Sequence, residues 1–408
     1  MRVQIIADCY LPSTKSSAKL IHDLGVEFRR QGHEVRIAAP DDTLVSDRVI
    51  NREEGMTVMR FHSGKIKGTS KYLRGFHESR LSALLWNSGR DVFEAQPADL
   101  IVFYSPSIFF GSLVGKLKRL WGCPAYLILR DIFPQWAIDA GVLNKGPAYW
   151  FFCRKEVEQY SVADVIGVQS PANLNYFRDR GWADRYRLDV LYNWTTLDEQ
   201  DVPKTDFRTE WGLQDKVVFF YGGNIGVAQD MHNVVRLADS LRDDPAVRFL
   251  LVGDGSEVHR LQADVSARGL TNISLRPAVG QREYLGMLSE FDVGLITLDG
   301  HLKTQNFPGK LLGYMYYSKP ILASINPGND LQDMVEEFDC GLVCRNGDDA
   351  EFRERAVRLA SDALLRQRLG LNGRLLLEER FAVSRTVKQI LSAVGLNPAT
   401  SAAMPRAA

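Results

Sequence analysis

Short β-branched, apolar runs alternate with amphipathic helical stretches along nearly the whole chain, and the pattern runs through once and then restarts. In the first half the runs are 2–7, 34–39, 56–61, 100–105, 125–130, 165–170 and 188–193. Between the first two, Ile21, Leu24, Gly25 and Phe28 share one helical face, and Gly32 is placed to cap that helix before Glu34 opens a strand. A polar, Pro-containing stretch at 197–214 follows. The pattern then begins again with Lys216-Val217-Val218-Phe219-Phe220-Tyr221, and continues near 248–252, 273–276, 293–298, 319–324 and 342–344. Strands separated by helices need crossover connections, which are right-handed and build buried parallel sheets. The expected fold is α/β: two tandem Rossmann-like, doubly wound domains with an interdomain cleft. The reading places them at 1–196 and 215–378, with a linker at 197–214. A last helix at 379–396 is free to pack back on the N-terminal domain, and 397–408 reads as a disordered tail.

Composition narrows the function classes. At 408 residues, 45% of them hydrophobic, the chain can bury two sizeable cores. Lys plus Arg and Asp plus Glu stand at 50 each, so bulk charge attracts no nucleic acid and an electrostatic partner must meet a local patch. The five cysteines (Cys9, Cys123, Cys153, Cys340, Cys344) are odd in number and match no zinc spacing. They read as reduced core residues, and no metal site is expected. The opening Met1-Arg2-Val3-Gln4-Ile5-Ile6-Ala7-Asp8 reads as a strand rather than a signal peptide. No stretch reaches the roughly 18 to 20 apolar residues a membrane-spanning helix needs. The expected location is the cytoplasm, with peripheral attachment at the inner face of the plasma membrane as an option. The sequence carries no signal for oligomeric state.

Ligands of doubly wound sheets sit beyond the carboxyl ends of the strands, so the turns there carry the candidate chemistry. Gly222-Gly223-Asn224-Ile225-Gly226 follows the strand 216–221, and such a turn lets backbone N–H groups approach phosphate oxygens. A tight turn without ligand fits the same residues. Val252-Gly253-Asp254-Gly255 ends the next strand and also reads as a plain helix entry. In Asn306-Phe307-Pro308-Gly309-Lys310, a cation meets the positive end of a helix, which is unfavourable unless an anion such as a diphosphate lies there. A solvated lysine is the plainer alternative. Asp131, in Arg130-Asp131-Ile132-Phe133-Pro134-Gln135, ends a buried strand where a carboxylate could orient an acceptor hydroxyl. A helix cap or an ion pair with Arg130 fits it equally.

Residues 60–90 interleave basic and apolar side chains, among them Lys65, Lys67, Lys71, Arg74, Arg80 and Trp86. That mixture suits an anionic membrane interface or a solvated face packed on its own domain. No RNA-recognition module accompanies it.

Taken in order, these pieces resemble the family-4 retaining glycosyltransferases of the GT-B fold, closest to the branch that builds bacterial O-antigen and capsule repeat units. The matching stretches are Tyr10-Leu11-Pro12, Gln31-Gly32-His33-Glu34-Val35, Arg130 to Gln135, Ala163-Asp164-Val165-Ile166, Tyr192-Asn193-Trp194, Tyr221 to Gly226, Val252 to Gly255, and Phe307-Pro308-Gly309-Lys310 through Leu322. The resemblance implies an acceptor-side first domain and a second domain that binds a nucleotide-sugar, UDP-type favoured. The acceptor would be a saccharide or lipid-linked saccharide, and no cofactor or metal is required because amides and basic side chains take the diphosphate charge. It assigns Asp131 and Lys310 to catalysis. It assigns Ser16, Ser17, Gly222, Gly223, Asn224, Gly253, Gly255, Arg276, Ala278, Val279, Lys303, Gln305, Pro308, Gly309 and Tyr314 to the donor.

The chain departs from the family where two glutamates usually stand eight positions apart: it has Gln305 and Gly313. Gln229, Asp230 and His232 occupy the loop where many relatives aim Arg and Lys at the diphosphate. Two other readings follow, a catalytically silent relative that binds or regulates a partner, and a nucleotide-sugar epimerase or hydrolase on the same fold.

Overall fold

A computed structural model describes residues 1–13, 15–64, 71–139, 141–199, 202, 205–302 and 307–396, with backbone alone at 71–74. The chain divides into two compact units, Met1–Thr196 with Val383–Ala408, and Leu197–Ala382.

The first unit is built on β1 (Arg2–Ile6), β2 (Glu34–Asp41), β3 (Arg48–Glu53), β4 (Met56–His62), β5 (Leu100–Ser105), β6 (Ala125–Leu129), β7 (Val165–Val168) and β8 (Leu188–Val190). They pair in the order β3-β4-β2-β1-β5-β6-β7-β8, parallel everywhere except β3 against β4. Strands covered on both faces need apolar residues at every position, and β5 and β6 are buried along their whole lengths. Strand β3 gave no apolar signal because it is a polar edge: its residues 51 and 52 are exposed, and Glu53 binds Arg60. Charge on an edge strand also discourages further pairing.

The helix Ser16–Arg30 lays Ile21, Leu24 and Phe28 into the core. Gly25 lies on the same face because a side chain there would meet Met56 Sδ at 2.7 Å. The last helix starts at Val383, not at 379, and runs Val383–Ala393. It adds Val383, Val387, Ile390 and Leu391 to this core, while Gln389 Nε2 donates to Asp189 at 2.9 Å and to the Val190 carbonyl at 2.8 Å. Glu379, Arg380 and Phe381 belong instead to a π-helical turn of the second unit, Leu377–Phe381. The tail 397–408 lies outside the described residues.

The second unit carries β9 (Val217–Gly222), β10 (Val247–Val252), β11 (Ile273–Arg276), β12 (Val293–Thr297), β13 (Ile321–Ile325) and β14 (Gly341–Arg345). Their order is β11-β10-β9-β12-β13-β14, and every pairing is parallel. Strand order reverses between β9 and β12, and a crevice opens at such a switch point beyond the carboxyl ends. The stretch expected to link the domains is largely built into this unit. Asp206 caps the short helix Phe207–Glu210, and Arg208 reaches Asp292 at 2.6 Å and the Glu290 carbonyl at 2.7 Å.

Candidate functional site

The turns after β9 and β10 pack backbone against backbone. Gly223 adopts φ +134, a region that favours glycine, and its N–H donates to the Val252 carbonyl at 2.9 Å. A side chain at Gly253 would overlap the Gly223 carbonyl oxygen, and one at Gly255 would overlap that of Ile225. Their glycine identity is thus accounted for by this packing. A side chain at Gly222 would run into the Tyr284 ring. Gly223 and Asn224 remain open to solvent.

Lys310 opens the helix Lys310–Tyr316, with Gly309 as its N-cap. Its ammonium lies over the face of Tyr221, 3.5 Å from the ring centroid. A methyl at Gly223 would sit 3.7 Å from Lys310 Nζ, so the cation stands against the glycine-rich turn. Lys310 has no acidic partner among the described residues, and burial pulls its pKa down to about 7. The residue is partly buried, with its ammonium resting on the aromatic face rather than extended into water. Pro308 is partly buried and precedes the N-cap, and Gly309 is exposed with nothing within 4 Å of a methyl built there. Lys303 and Gln305 lie outside the described residues.

Tyr314 requires a correction. It is completely buried, and its hydroxyl donates to the carbonyls of Phe220 at 3.2 Å and Leu295 at 3.1 Å. It fastens the helix to β9 and β12 rather than facing a donor. Gly313 is packed as well, since a methyl there would meet Leu288 Cδ1 at 2.8 Å. The three residues in the loop after Gly226 are folded into their own unit. Gln229 accepts from Asn224 Nδ2 at 2.8 Å, Asp230 accepts from Asn346 Nδ2 at 3.1 Å, and His232 pairs with Asp264 at 2.9 Å. Arg276 ends β11, exposed, with its guanidinium 4.8 Å from the Trp211 ring centroid. Ala278 and Val279 follow in the surface loop before the helix Gln281–Glu290.

In the first unit Asp131 lies just beyond β6 and is reached by solvent. Surrounding protein thins its hydration and Asp8 adds a like charge, so its carboxyl titrates above the usual range, against the opposing pull of Arg130 and Lys15. Lys15 Nζ is 3.7 Å from Asp8. Arg130 makes no simple ion pair with its neighbour. It is partly buried, donates to the carbonyls of Leu191 at 2.6 Å and Tyr192 at 3.2 Å, and stacks 5.2 Å from the Trp194 centroid. The Arg130 and Tyr192-Asn193-Trp194 stretches therefore brace one another beneath Asp131. Ser16 is exposed at the start of its helix, and Ser17 Oγ contacts Cys9 Sγ at 3.0 Å.

Three residues were missed. Asp8 ends the β1 run and was legible from the carboxyl-end rule that singled out Asp131. Lys15 carried no signal. Tyr221 reads as ordinary core in an apolar strand.

The basic stretch divides differently. Lys65 and Lys67 lie outside the described residues, and Lys71 and Arg74 lie in the helix Lys71–Ser79 with only their backbone described. Arg80 sits 5.5 Å over the Phe76 ring. Trp86 is corrected: it stacks on Phe93 at 6.4 Å, partly buried, with Lys116 5.1 Å over its face. It is packing for its own domain. Among the described residues no helix is long and apolar enough to cross a membrane, and no group of three His, Cys, Asp or Glu could hold a metal ion.

Comparison with known proteins agrees with this architecture. Residues 17–194 match the Glycosyl transferase 4-like domain, and residues 215–362 match the Glycosyl transferases group 1 domain. The chain is 24% identical over 385 residues to WcaI of Escherichia coli K12, named for glycosyl transfer in colanic acid biosynthesis, covering 88% of this chain and 92% of that protein. It is 28% identical over 241 residues to WbjE of Pseudomonas aeruginosa, named a glycosyltransferase, covering 57% and 58%. Among solved structures, Anabaena HepE in complex with UDP superposes with a TM-score of 0.68 at 16% identity, over 96% of this chain and 99% of that one. WaaG, a glycosyltransferase involved in lipopolysaccharide biosynthesis, gives 0.63 at 14% identity, over 96% and 100%.

Proposed function

The chain belongs to the family-4 glycosyltransferases of the GT-B fold, and on that footing we propose that it transfers a hexosyl or N-acetylhexosaminyl group, with retention, from a UDP-sugar to a saccharide or lipid-linked saccharide in bacterial surface polysaccharide synthesis. The observation that carries this reading is the Lys310 cation on the Tyr221 face, against the exposed Gly223 backbone. Breaking the glycosidic bond leaves negative charge on the β-phosphate, and a cation with amides aimed there lowers that barrier. Lys310, with its pKa near 7, gains its proton when the diphosphate arrives, since an adjacent anion favours the charged form. No metal is needed in this scheme. Arg276, Ala278 and Val279 would flank the base and ribose. Asp131, beside Asp8 and Lys15, would orient the acceptor hydroxyl or balance charge on the reacting sugar.

HepE was solved with UDP and with UDP-glucose, which supports a UDP donor here. The surface-polysaccharide names of WcaI and WaaG support the acceptor class, and with it work in the cytoplasm at the inner face of the plasma membrane. The test is transfer from UDP-sugars in EDTA to a polyprenyl-diphosphate-linked sugar, with the anomeric configuration of the product read by NMR. An α-linked product from an α-linked donor supports the reading, and an inverted product overturns retention. A silent binding relative is the second reading, favoured by Gly313, which brings no carboxylate to its helix and packs on Leu288.

A further inference from the structure

We propose that the first unit docks on an anionic bilayer through an aromatic surface formed by Trp136, Val142, Trp150 and Phe151 and flanked by Lys145 and Arg154. The proposal rests on the reading that the enzyme works at a membrane, and it moves the contact away from residues 60–90.

The four apolar side chains are 40%, 52%, 66% and 44% exposed, although each could have been buried at a gain. Single exposed apolar residues are ordinary, whereas a group of them beside cations marks a binding face. Trp136 and Phe151 stand on a shared aromatic base, Val142 is tied beside Trp136 by its N–H to the Ala137 carbonyl at 2.8 Å, and Trp150 precedes Phe151 on the same helix. Phe133 packs edge-on against Phe152 at 4.9 Å and against Trp136 at 6.0 Å, and Phe109 touches both Phe151 and Phe152 at 6.3 Å. A platform held this way presents its outer rings at little cost in conformational entropy.

Charge selects the occupant. Residues 140–155 contain Lys145, Arg154 and Lys155 and no Asp or Glu. Lys155 is taken up by Glu158 at 2.7 Å, whereas Lys145 and Arg154 are exposed. The helix Pro147–Val162, which carries Trp150 and Phe151, has neither an acidic residue in its first turn nor a side-chain cap, so its positive end adds to the attraction. Exposed tryptophan and phenylalanine with exposed cations near them in the chain suit the headgroup boundary of an anionic bilayer. A second copy of the chain fits less well, because a two-fold contact would set Lys145 and Arg154 against their own like charges. Phe133, in the base of the surface, is two residues from Asp131. Docking would hold Asp131 at the level where a lipid-linked acceptor presents its sugar.

The experiment is flotation of the full chain with vesicles of phosphatidylethanolamine and phosphatidylglycerol at 3:1, and with phosphatidylcholine alone, at low and high salt. Wild type is expected to float with the anionic vesicles and to lose binding as salt rises. W150A/F151A should partition about tenfold less or weaker, and K145E/R154E should lose anionic binding, each with an unchanged melting temperature and unchanged UDP affinity. Anionic binding that survives in both double variants overturns this surface while leaving a membrane role intact. Absence of wild-type binding at low salt overturns both. A dimer of wild type in sedimentation equilibrium that W150A/F151A dissolves would make the face a contact between copies and overturn the proposal. UDP binding, measured separately, is the independent check on the transferase reading.

Discussion

The Lys310 ammonium rests 3.5 Å from the centroid of the Tyr221 ring, and the Tyr221 hydroxyl donates to the Asn224 carbonyl at 2.5 Å. One aromatic residue therefore both seats the cation and ties down the glycine-rich turn beside it. If that cation meets the charge that develops on the leaving diphosphate, Lys310→Ala lowers kcat by about 10²–10³. Lys310→Arg recovers little, because a planar fork does not reproduce a point charge stacked on the ring. Steady-state kinetics with the UDP-sugar read this directly, and kcat within about twofold of wild type in Lys310→Ala would remove Lys310 from catalysis.

The same residue gives a stability prediction with a definite sign. Its folded pKa of about 7 lies below the ordinary 10.5, so between those values the unfolded chain holds a proton that the folded chain lacks. Stability then rises with pH across that window, and the full cost of burying the charge is felt below pH 7. Lys310→Met relieves the cost. Its melting temperature should exceed that of wild type at pH 6.5, by about 2–4 °C per kcal/mol relieved, with the gap closing towards pH 9. Parallel melting curves across that range would contradict the burial.

Asp131 reaches solvent, so Asp131→Asn should fold normally and lose about 10²–10⁴ in kcat. Asp8 is the finer probe. Its charge helps hold the Asp131 pKa up, and Asp8→Asn should shift the acidic limb of the kcat/KM profile to lower pH. A limb that stays in place separates the two carboxylates.

Two substitutions distinguish packing from binding. Gly253→Ala drives a methyl into the Gly223 carbonyl and should cost about 1–3 kcal/mol while distorting the turn proposed to meet the diphosphate, so both stability and UDP affinity should fall. Tyr314→Phe should cost about 1 kcal/mol and leave UDP affinity unchanged, because its buried hydroxyl is spent on backbone of the sheet, at the Phe220 and Leu295 carbonyls and beside the Gly222 amide. Chemical denaturation and titration calorimetry on the two variants check both statements.

Much of the fold was legible because parallel strands buried on both faces must be largely apolar, as β6 is throughout and β5 and β12 are up to Ser105 and Thr297 at their carboxyl ends. Strand β3 escaped because an edge strand with charged side chains has no such signature. Glycines were readable as special but not as to why: Gly253 serves a backbone that packs on its neighbour, which only three dimensions reveal. Tyr314 and Lys310 stand four residues apart near one helix start, yet one points into the core and the other onto an aromatic face. Sequence spacing alone does not separate those fates. Trp86 and Trp150 show the same limit on the membrane question, since tryptophans in similar company differ in whether a core takes them up.

The central claim is a working, metal-independent diphosphate site at Lys310 and the Gly222–Gly223 turn. Titration calorimetry of the full chain with UDP, GDP and ADP in EDTA, at pH 7 and pH 8 in two buffers of different ionisation enthalpy, tests it most directly. The account predicts saturable UDP binding, with net proton uptake that grows at pH 8 and disappears in Lys310→Ala. No saturable heat with any of the three nucleotides would contradict it and favour a silent relative.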